Sequence, residues 1–353
     1  MPPAASFTSL ERGRFSGAYA QRLRQGILHF KRWLPREKGH LLLHKRYQRQ
    51  LDGFLASYVQ WCFDSEVNMS IPKHAVLGYQ HTFQCKRGFP RAWTCLLAWR
   101  HRLPSRHRTP IPFEVMQAMA LMGLERWLLE PSDSLWLCFS IAIRFGFFGL
   151  LRPGEILRLR ATDVMVRPCA ADQLVAVMVL VSPKNKRSLG LQQFCTIRDQ
   201  NTARWLQWVI ESLHPEHKLW PSSGANFRKY FANALAALHL SDARLSPASL
   251  RAGAATHSYL AGMEIQRLQF HGRWASQSSL NCYIQEAMGH LVWMSMPEAS
   301  RRIIRGLLVA GAVPWEHAPH ITLRASALPL PRGWRRRPLA SSSALLLTGT
   351  HYS

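Results

Sequence analysis

Acidic residues are scarce in this chain. Its 353 residues include 20 Asp and Glu against 45 Lys and Arg, a net charge of +25. Arginine is spread along the whole length, so the excess does not come from one tail. The natural partner is a polyanion: DNA, RNA or an anionic membrane surface. Cysteine is sparse too. The seven cysteines stand singly and no CxxC pair occurs, which disfavours a zinc ribbon or a thioredoxin-type site. Their odd number fits a reducing, intracellular compartment.

Uninterrupted apolar runs are also missing. The longest, residues 135–151, is broken by Arg144, and at 17 residues it is short for a membrane span. A buried core helix is the better reading, and no membrane partner is expected. Residues 1–30 lack a continuous apolar stretch, so no secretory leader is expected, and Glu11 weakens a transit-peptide reading. Neither GxGxxG nor GxxxxGK[ST] occurs, which disfavours a nucleotide-binding fold. HExxH and paired-carboxylate metal motifs are missing as well. Neither a metal nor a small-molecule cofactor is expected. There is no internal repeat.

The chain does contain enough apolar residues, 47%, to build real cores. Its length suits two domains and a tail. Residues 1–39 read as a basic, irregular extension. Residues 40–105 read as a helical domain. There Leu51, Phe54, Leu55, Tyr58 and Val59 recur at helical spacing, and a second helix passes through Ala92, Leu96 and Trp99. Pro72 and Gly78 punctuate the stretch between them. Residues 106–112 close a cationic, proline-rich linker. From 113 to 295 the order is helices, a strand at 174–182, a cationic turn, a return strand near 194–197, then helices again. That order predicts a mixed α+β, mainly helical domain with a small β-sheet, preceded by an all-α domain. Residues 296–353 read as a helix followed by a basic tail expected to be disordered, with Arg332 and Arg335 to Arg337 clustered.

Four segments could carry chemistry. In "GLLRPGEILRLRATDV" (149–164), Arg152 sits where an apolar helix gives way to a polar turn, and Glu155 three residues on can orient its guanidinium. A guanidinium fixed in this way suits a phosphate oxygen, although a structural Arg–Glu pair is the commoner occurrence. In "SPKNKRSLG" (182–190), the hairpin turn bears Lys184, Lys186 and Arg187, cations suited to a DNA groove or simply to water. In "SPASLRAGAATHSYLAGM" (246–263), small residues around Arg251 allow close packing with the arginine facing a site. "HGRWASQSSLNCYIQ" (271–285) holds His271, Arg273, Trp274 and Tyr283. Arg228 and Lys229, on a helix near 227–238, are further DNA-backbone candidates.

Taken in order over about 112–286, these segments resemble the tyrosine recombinase, or phage integrase, family. The resemblance identifies them with the family's first-arginine motif, lysine-bearing hairpin, second-arginine box and the box leading to the nucleophile. Residues 40–105 are similar in size and position to the family's core-binding domain, without a motif match. The resemblance implies duplex DNA as partner and DNA cleavage and rejoining in recombination or integration by a mobile element, with self-association on DNA. Arg152 and Arg251 would hold the non-bridging oxygens of the scissile phosphate. Lys184 would protonate the departing 5′ oxygen, and Tyr283 would form a 3′-phosphotyrosyl link. Glu155, His271 and Trp274 would support that set.

The pattern is broken in two places. Ala248 stands where the family's His-x-x-Arg has histidine, and Arg273 stands at a His/Trp position. Tyr283 also lies one residue farther from that box than usual. Arg273 can supply charge to a phosphate, but a guanidinium cannot act as a base. The phosphate-gripping set is therefore complete while the proton-transfer set is depleted. A non-catalytic DNA-binding protein retaining the fold is the alternative, and a type IB topoisomerase-like activity is a related one. A basic membrane- or RNA-associated helical protein leaves the ordered motifs unexplained. A nuclear location is compatible with a basic DNA binder, but Arg335 to Arg337 is too short a run to be an import signal.

Overall fold

Apolar residues at three- and four-residue spacing place the helices and their buried faces. The computed structural model describes residues 17–85, 87–103, 108–169, 173–181, 183 and 189–310. The chain divides into two units, Met1–Arg106 and His107–Ser353.

The first unit contains α1 (Gly17–Trp33), α2 (Gln48–Asp64), α3 (Ser70–Thr82) and α4 (Pro90–Arg102). Phe30, Leu51, Leu55, Tyr58, Val76 and Phe89 belong to one buried cluster. Asp52 is buried and accepts the backbone N–H groups of Arg91 and Ala92 at 3.0 Å each, capping the start of α4. Two expectations are corrected. Residues 17–33, read as irregular, form α1, whose stripe of Leu23, Gly26 and Phe30 is buried. The surrounding cations hid a narrow apolar face. The region punctuated by Pro72 and Gly78 is helix α3. Pro72 lies in the first turn, where a missing N–H costs no hydrogen bond. A Cβ on Gly78 would come within 2.6 Å of Ile27, and one on Gly26 within 2.6 Å of the Ala75 backbone. The two glycines mark a close crossing of α1 and α3.

The second unit opens with α5 (Phe113–Leu129), α6 (Leu135–Phe148) and the single turn α7 (Pro153–Ile156). The sheet follows: β1 (Val164–Pro168), β2 (Leu174–Val181) and β3 (Gln192–Ile197), antiparallel in the order β1-β2-β3. Met178 in the central strand faces Val164 on one side and Cys195 on the other. β2 was expected as a buried strand, but only Ala176, Met178 and Leu180 are buried along it. β1 was not anticipated. It is only five residues long, with Val164 and Val166 facing inward. Then come α8 (Gln200–Ser212), α9 (Gly224–Ala237), α10 (Ser249–Leu260), α11 (Ile265–His271), α12 (Gln277–Asn281) and α13 (Glu286–Met294). Residues 298–310 are helical. The mainly helical α+β class expected from the sequence is what the chain forms. The turn at 184–188, linker residues 104–107 and the tail from 311 lie outside the described residues.

Arg144, which interrupts the apolar run, is paired inside the protein. Its Nη2 meets Asp199 at 2.7 Å and its Nε donates to Thr202 at 3.0 Å. Asp199 in turn caps α8 by accepting the Thr202 N–H. Among the described residues, no helix is long and apolar enough to cross a membrane.

α10 carries Arg251 and is packed tightly. The Ile111 N–H donates to the Ser249 carbonyl, and a Cβ on Gly253 would lie 2.1 Å from the Ile111 carbonyl oxygen. We expect Gly253→Ala to cost about 1–3 kcal/mol through this overlap. A denaturant titration of the variant with an unchanged midpoint would show that the contact is not tight.

Candidate phosphate-binding site

The site is built where α6 runs out. Leu150, just past its end, is left-handed with φ 49°, a conformation disfavoured for a branched side chain. That turn brings Arg152 to the start of α7, where Arg152 and Glu155 form a capping pair. The Arg152 backbone N–H donates to Glu155 Oε2 at 2.8 Å, and its Nη1 donates to Oε1 at 2.7 Å. Glu155 is buried and also accepts Arg273 Nη2 at 3.1 Å. One carboxylate thus orients two guanidiniums.

Arg273 comes from the turn after α11. It too is left-handed, with φ 57°, and only 6% exposed. Besides Glu155, its guanidinium donates to the carbonyls of Gly149 at 3.3 Å and Leu150 at 3.2 Å. Gly272 is required here, because a Cβ would fall 1.5 Å from the Trp274 ring, which folds back over the turn. Trp274 lies 4.2 Å from the Arg251 guanidinium, a cation–π contact.

Arg251 is 1% exposed. Its Nη1 donates to the Leu150 carbonyl, and its Nη2 donates to the Gly272 carbonyl at 2.5 Å. Its Nε has no hydrogen-bond partner among the described residues. The Tyr283 ring centre lies 5.5 Å from the Arg251 guanidinium and 5.3 Å from the Trp274 ring. The fold therefore brings Arg152, Glu155, Arg251, Arg273, Trp274 and Tyr283 together from four separate stretches of chain. His271 lies alongside, with Nε2–H donating to the Phe148 carbonyl at 3.3 Å. Burial, followed by the charge of Arg273, lowers its pKa against the pull of that carbonyl and favours the neutral ring.

Lys184, Lys186 and Arg187 lie outside the described residues. Arg228 and Lys229 are exposed on α9, and among the described residues no hydrogen bond or ion pair joins them to the cluster. Two neighbours escaped sequence reasoning. The Thr256 hydroxyl donates to the Tyr283 carbonyl at 3.2 Å and accepts the Gln285 N–H at 3.1 Å, pinning the tyrosine's backbone to α10. Cys195 on β3 lies against Arg273. Burial pushes its thiol up to about 11, against the opposing charge of Arg273.

The electrostatics are unbalanced. Three guanidiniums lie in the field of one carboxylate, which pairs with two of them. Burial, then the like charges of Arg152 and Arg273, pull the Arg251 pKa below the ordinary arginine range, with Glu155 opposing. Burial pushes Glu155 up, but the charge of Arg273 and the Arg152 N–H and guanidinium outweigh it and leave its pKa lowered. Such a cluster, two positive charges in excess, is suited to an anion. Arg152, with 22% of its side chain exposed, is the cation of the cluster most open to one. Among the described residues, no group of three or more His, Cys, Asp and Glu could hold a metal ion.

No family model and no curated protein matches this chain. The solved structures similar to it include site-specific recombinases and integrases. The XerH site-specific recombinase bound to palindromic difH substrate, a post-cleavage complex, is 15% identical over 67% of this chain and 68% of its own, with TM-score 0.45. The Tn1549 transposon integrase in complex with transposon right end DNA is 11% identical over 81% and 96%, with TM-score 0.47. A lambda integrase dimer bound to a COC′ core site is 13% identical over 78% and 91%, with TM-score 0.48.

Removing the shared carboxylate tests the cluster. We expect Glu155→Gln to destabilise the fold by about 3–5 kcal/mol, as breaking one partner of a buried pair does. The pH dependence has a definite sign. The folded pKa is below the unfolded one, so this contribution is complete above the ordinary glutamate range and is lost as pH falls through the lowered value. The variant should therefore lose less stability than wild type on acidification. Equal acid sensitivity in thermal melts would contradict the assignment.

Proposed function

We propose that this chain is a duplex-DNA-binding protein of the tyrosine recombinase type, which seats a backbone phosphate at Arg152 beside Tyr283. The observation that carries this reading is the pairing of Arg152 and Arg273 with Glu155, with Arg251 sharing the Leu150 carbonyl with Arg273 and Tyr283 packed against Arg251 and Trp274. A phosphate diester neutralises part of the excess charge. A net charge of +25 draws the duplex in. In this reading residues 113–295 are the catalytic-type domain, residues 40–105 the core-binding-like domain and 106–112 the linker.

The reaction in this proposal is strand cleavage and rejoining. The Tyr283 hydroxyl oxygen attacks phosphorus, and a phosphotyrosyl bond to the 3′ side forms as the bond to the 5′ oxygen breaks. The departing oxygen takes a proton from Lys184, and the phenolic proton passes to solvent. Guanidiniums held in advance stabilise the charge of the pentacoordinate transition state without reorganising. Reversal by a new 5′ hydroxyl rejoins the strand, because the aryl ester conserves the bond energy. Self-association on DNA belongs to the same proposal.

A second reading, DNA binding without cleavage, is favoured by two observations. Ala248 at the start of α10 can move no proton. The terminal nitrogens of Arg251 are held by the Leu150 and Gly272 carbonyls.

Nicked suicide duplexes carrying sequences the protein selects from a randomised pool separate the two readings. Cleavage predicts a detergent-resistant adduct, absent in Tyr283→Phe and formed about 10²–10³ times more slowly in Arg152→Ala. Salt-sensitive duplex binding with no adduct would establish the second reading. An adduct that survives Tyr283→Phe would remove Tyr283 as nucleophile.

A further inference from the structure

α1 lies outside the stretch to which the sequence assigned DNA contact, and its two faces differ sharply. Leu23, Gly26 and Phe30 are buried, and Gly26 lies against the α3 backbone. The opposite face consists of Gln21, Arg24, Gln25, Leu28, Lys31 and Arg32, all exposed. These residues recur at three- and four-residue spacing and so form one continuous stripe. No Asp or Glu occurs between Glu11 and Glu37, so the helix has no carboxylate of its own to pair with them. Lys31 and Arg32 in the last turn suit the helix dipole without any partner. Arg24 and the two glutamines, in the middle of the helix, have no such structural use.

The chemistry of this stripe is that of base-edge recognition. An arginine can donate two hydrogen bonds to guanine O6 and N7, a glutamine can pair with adenine N6 and N7, and an apolar side chain can touch the thymine methyl. The major groove admits an α-helix. From Gln21 to Arg32 the stripe is about 16 Å long at 1.5 Å per residue. That length covers about five base pairs at 3.4 Å each.

We propose that α1 enters the major groove of duplex DNA and reads base edges with Gln21, Arg24, Gln25 and Leu28, while Lys31 and Arg32 hold the flanking phosphates. The inference rests on the DNA-binding reading above and adds sequence discrimination by a named helix. A single strand or an anionic lipid surface would engage the same cations but leave the glutamines without a role.

The test uses the full chain in selections from a randomised duplex pool, followed by binding titrations over a range of salt. Arg24→Ala and Gln25→Ala should each lose preference at one base-pair position by about tenfold, at different positions. Lys31→Ala should weaken all sequences alike and lower the salt slope by about 1. Any one of four results would overturn the assignment: unchanged preference in both Arg24→Ala and Gln25→Ala, equal weakening of every sequence by those two variants, no wild-type sequence preference, or tighter wild-type binding to single strands or anionic vesicles. Duplex binding that persists with unchanged preference sinks the α1 assignment alone. Wild type that fails to bind any duplex sinks the DNA-binding reading along with it.

Discussion

The second unit's site depends on Glu155. Its two oxygens accept the Arg152 backbone, the Arg152 guanidinium and Arg273, so one carboxylate caps α7, aims the exposed arginine and anchors the turn after α11. The other contacts build on that anchoring. The Leu150 carbonyl, presented by a left-handed residue, accepts from both Arg251 and Arg273. Backbone strain at Leu150 and again at Arg273 is maintained because several charged hydrogen bonds hold the same turns. Preorganised donors act on developing charge without rearranging.

Part of this was legible in the sequence. The Arg152–Glu155 pair could be read because three-residue spacing at the end of an apolar helix allows little else. The small residues after Arg251 announced a close approach, and Gly253 meets Ile111 there. The β-branched run of β2 gave the strand, and α5 followed its apolar pattern. The fate of the arginine nitrogens could not be read. That Arg251 and Arg273 are buried and donate to main-chain carbonyls depends on the long-range meeting of three turns, which no local pattern encodes. α1 was missed because its buried stripe is narrow and set among cations. α3 was missed because Pro72 and Gly78 act as breakers only outside the first turn and away from a helix crossing.

The buried arginines change the weight of the two functional readings. A phosphate contact needs an accessible donor, and Arg152 is the member of the cluster that offers one. In the proposed reading, the buried Arg251 and Arg273 add charge beside it. In that reading they reach the phosphate by exchanging carbonyl partners for phosphate oxygens. That exchange is chemically reasonable because an anionic acceptor makes the stronger hydrogen bond. Thr256 keeps Tyr283 close to this seat whichever reading holds, because its hydroxyl engages the tyrosine's own backbone.

The most direct measurement is a structure of the full chain bound to a duplex it selects. The account predicts a backbone phosphate within about 3 Å of the Arg152 guanidinium, with the Tyr283 hydroxyl facing the same phosphorus. A duplex bound elsewhere, with Arg152 left in solvent and Tyr283 turned away from the nucleic acid, would contradict it.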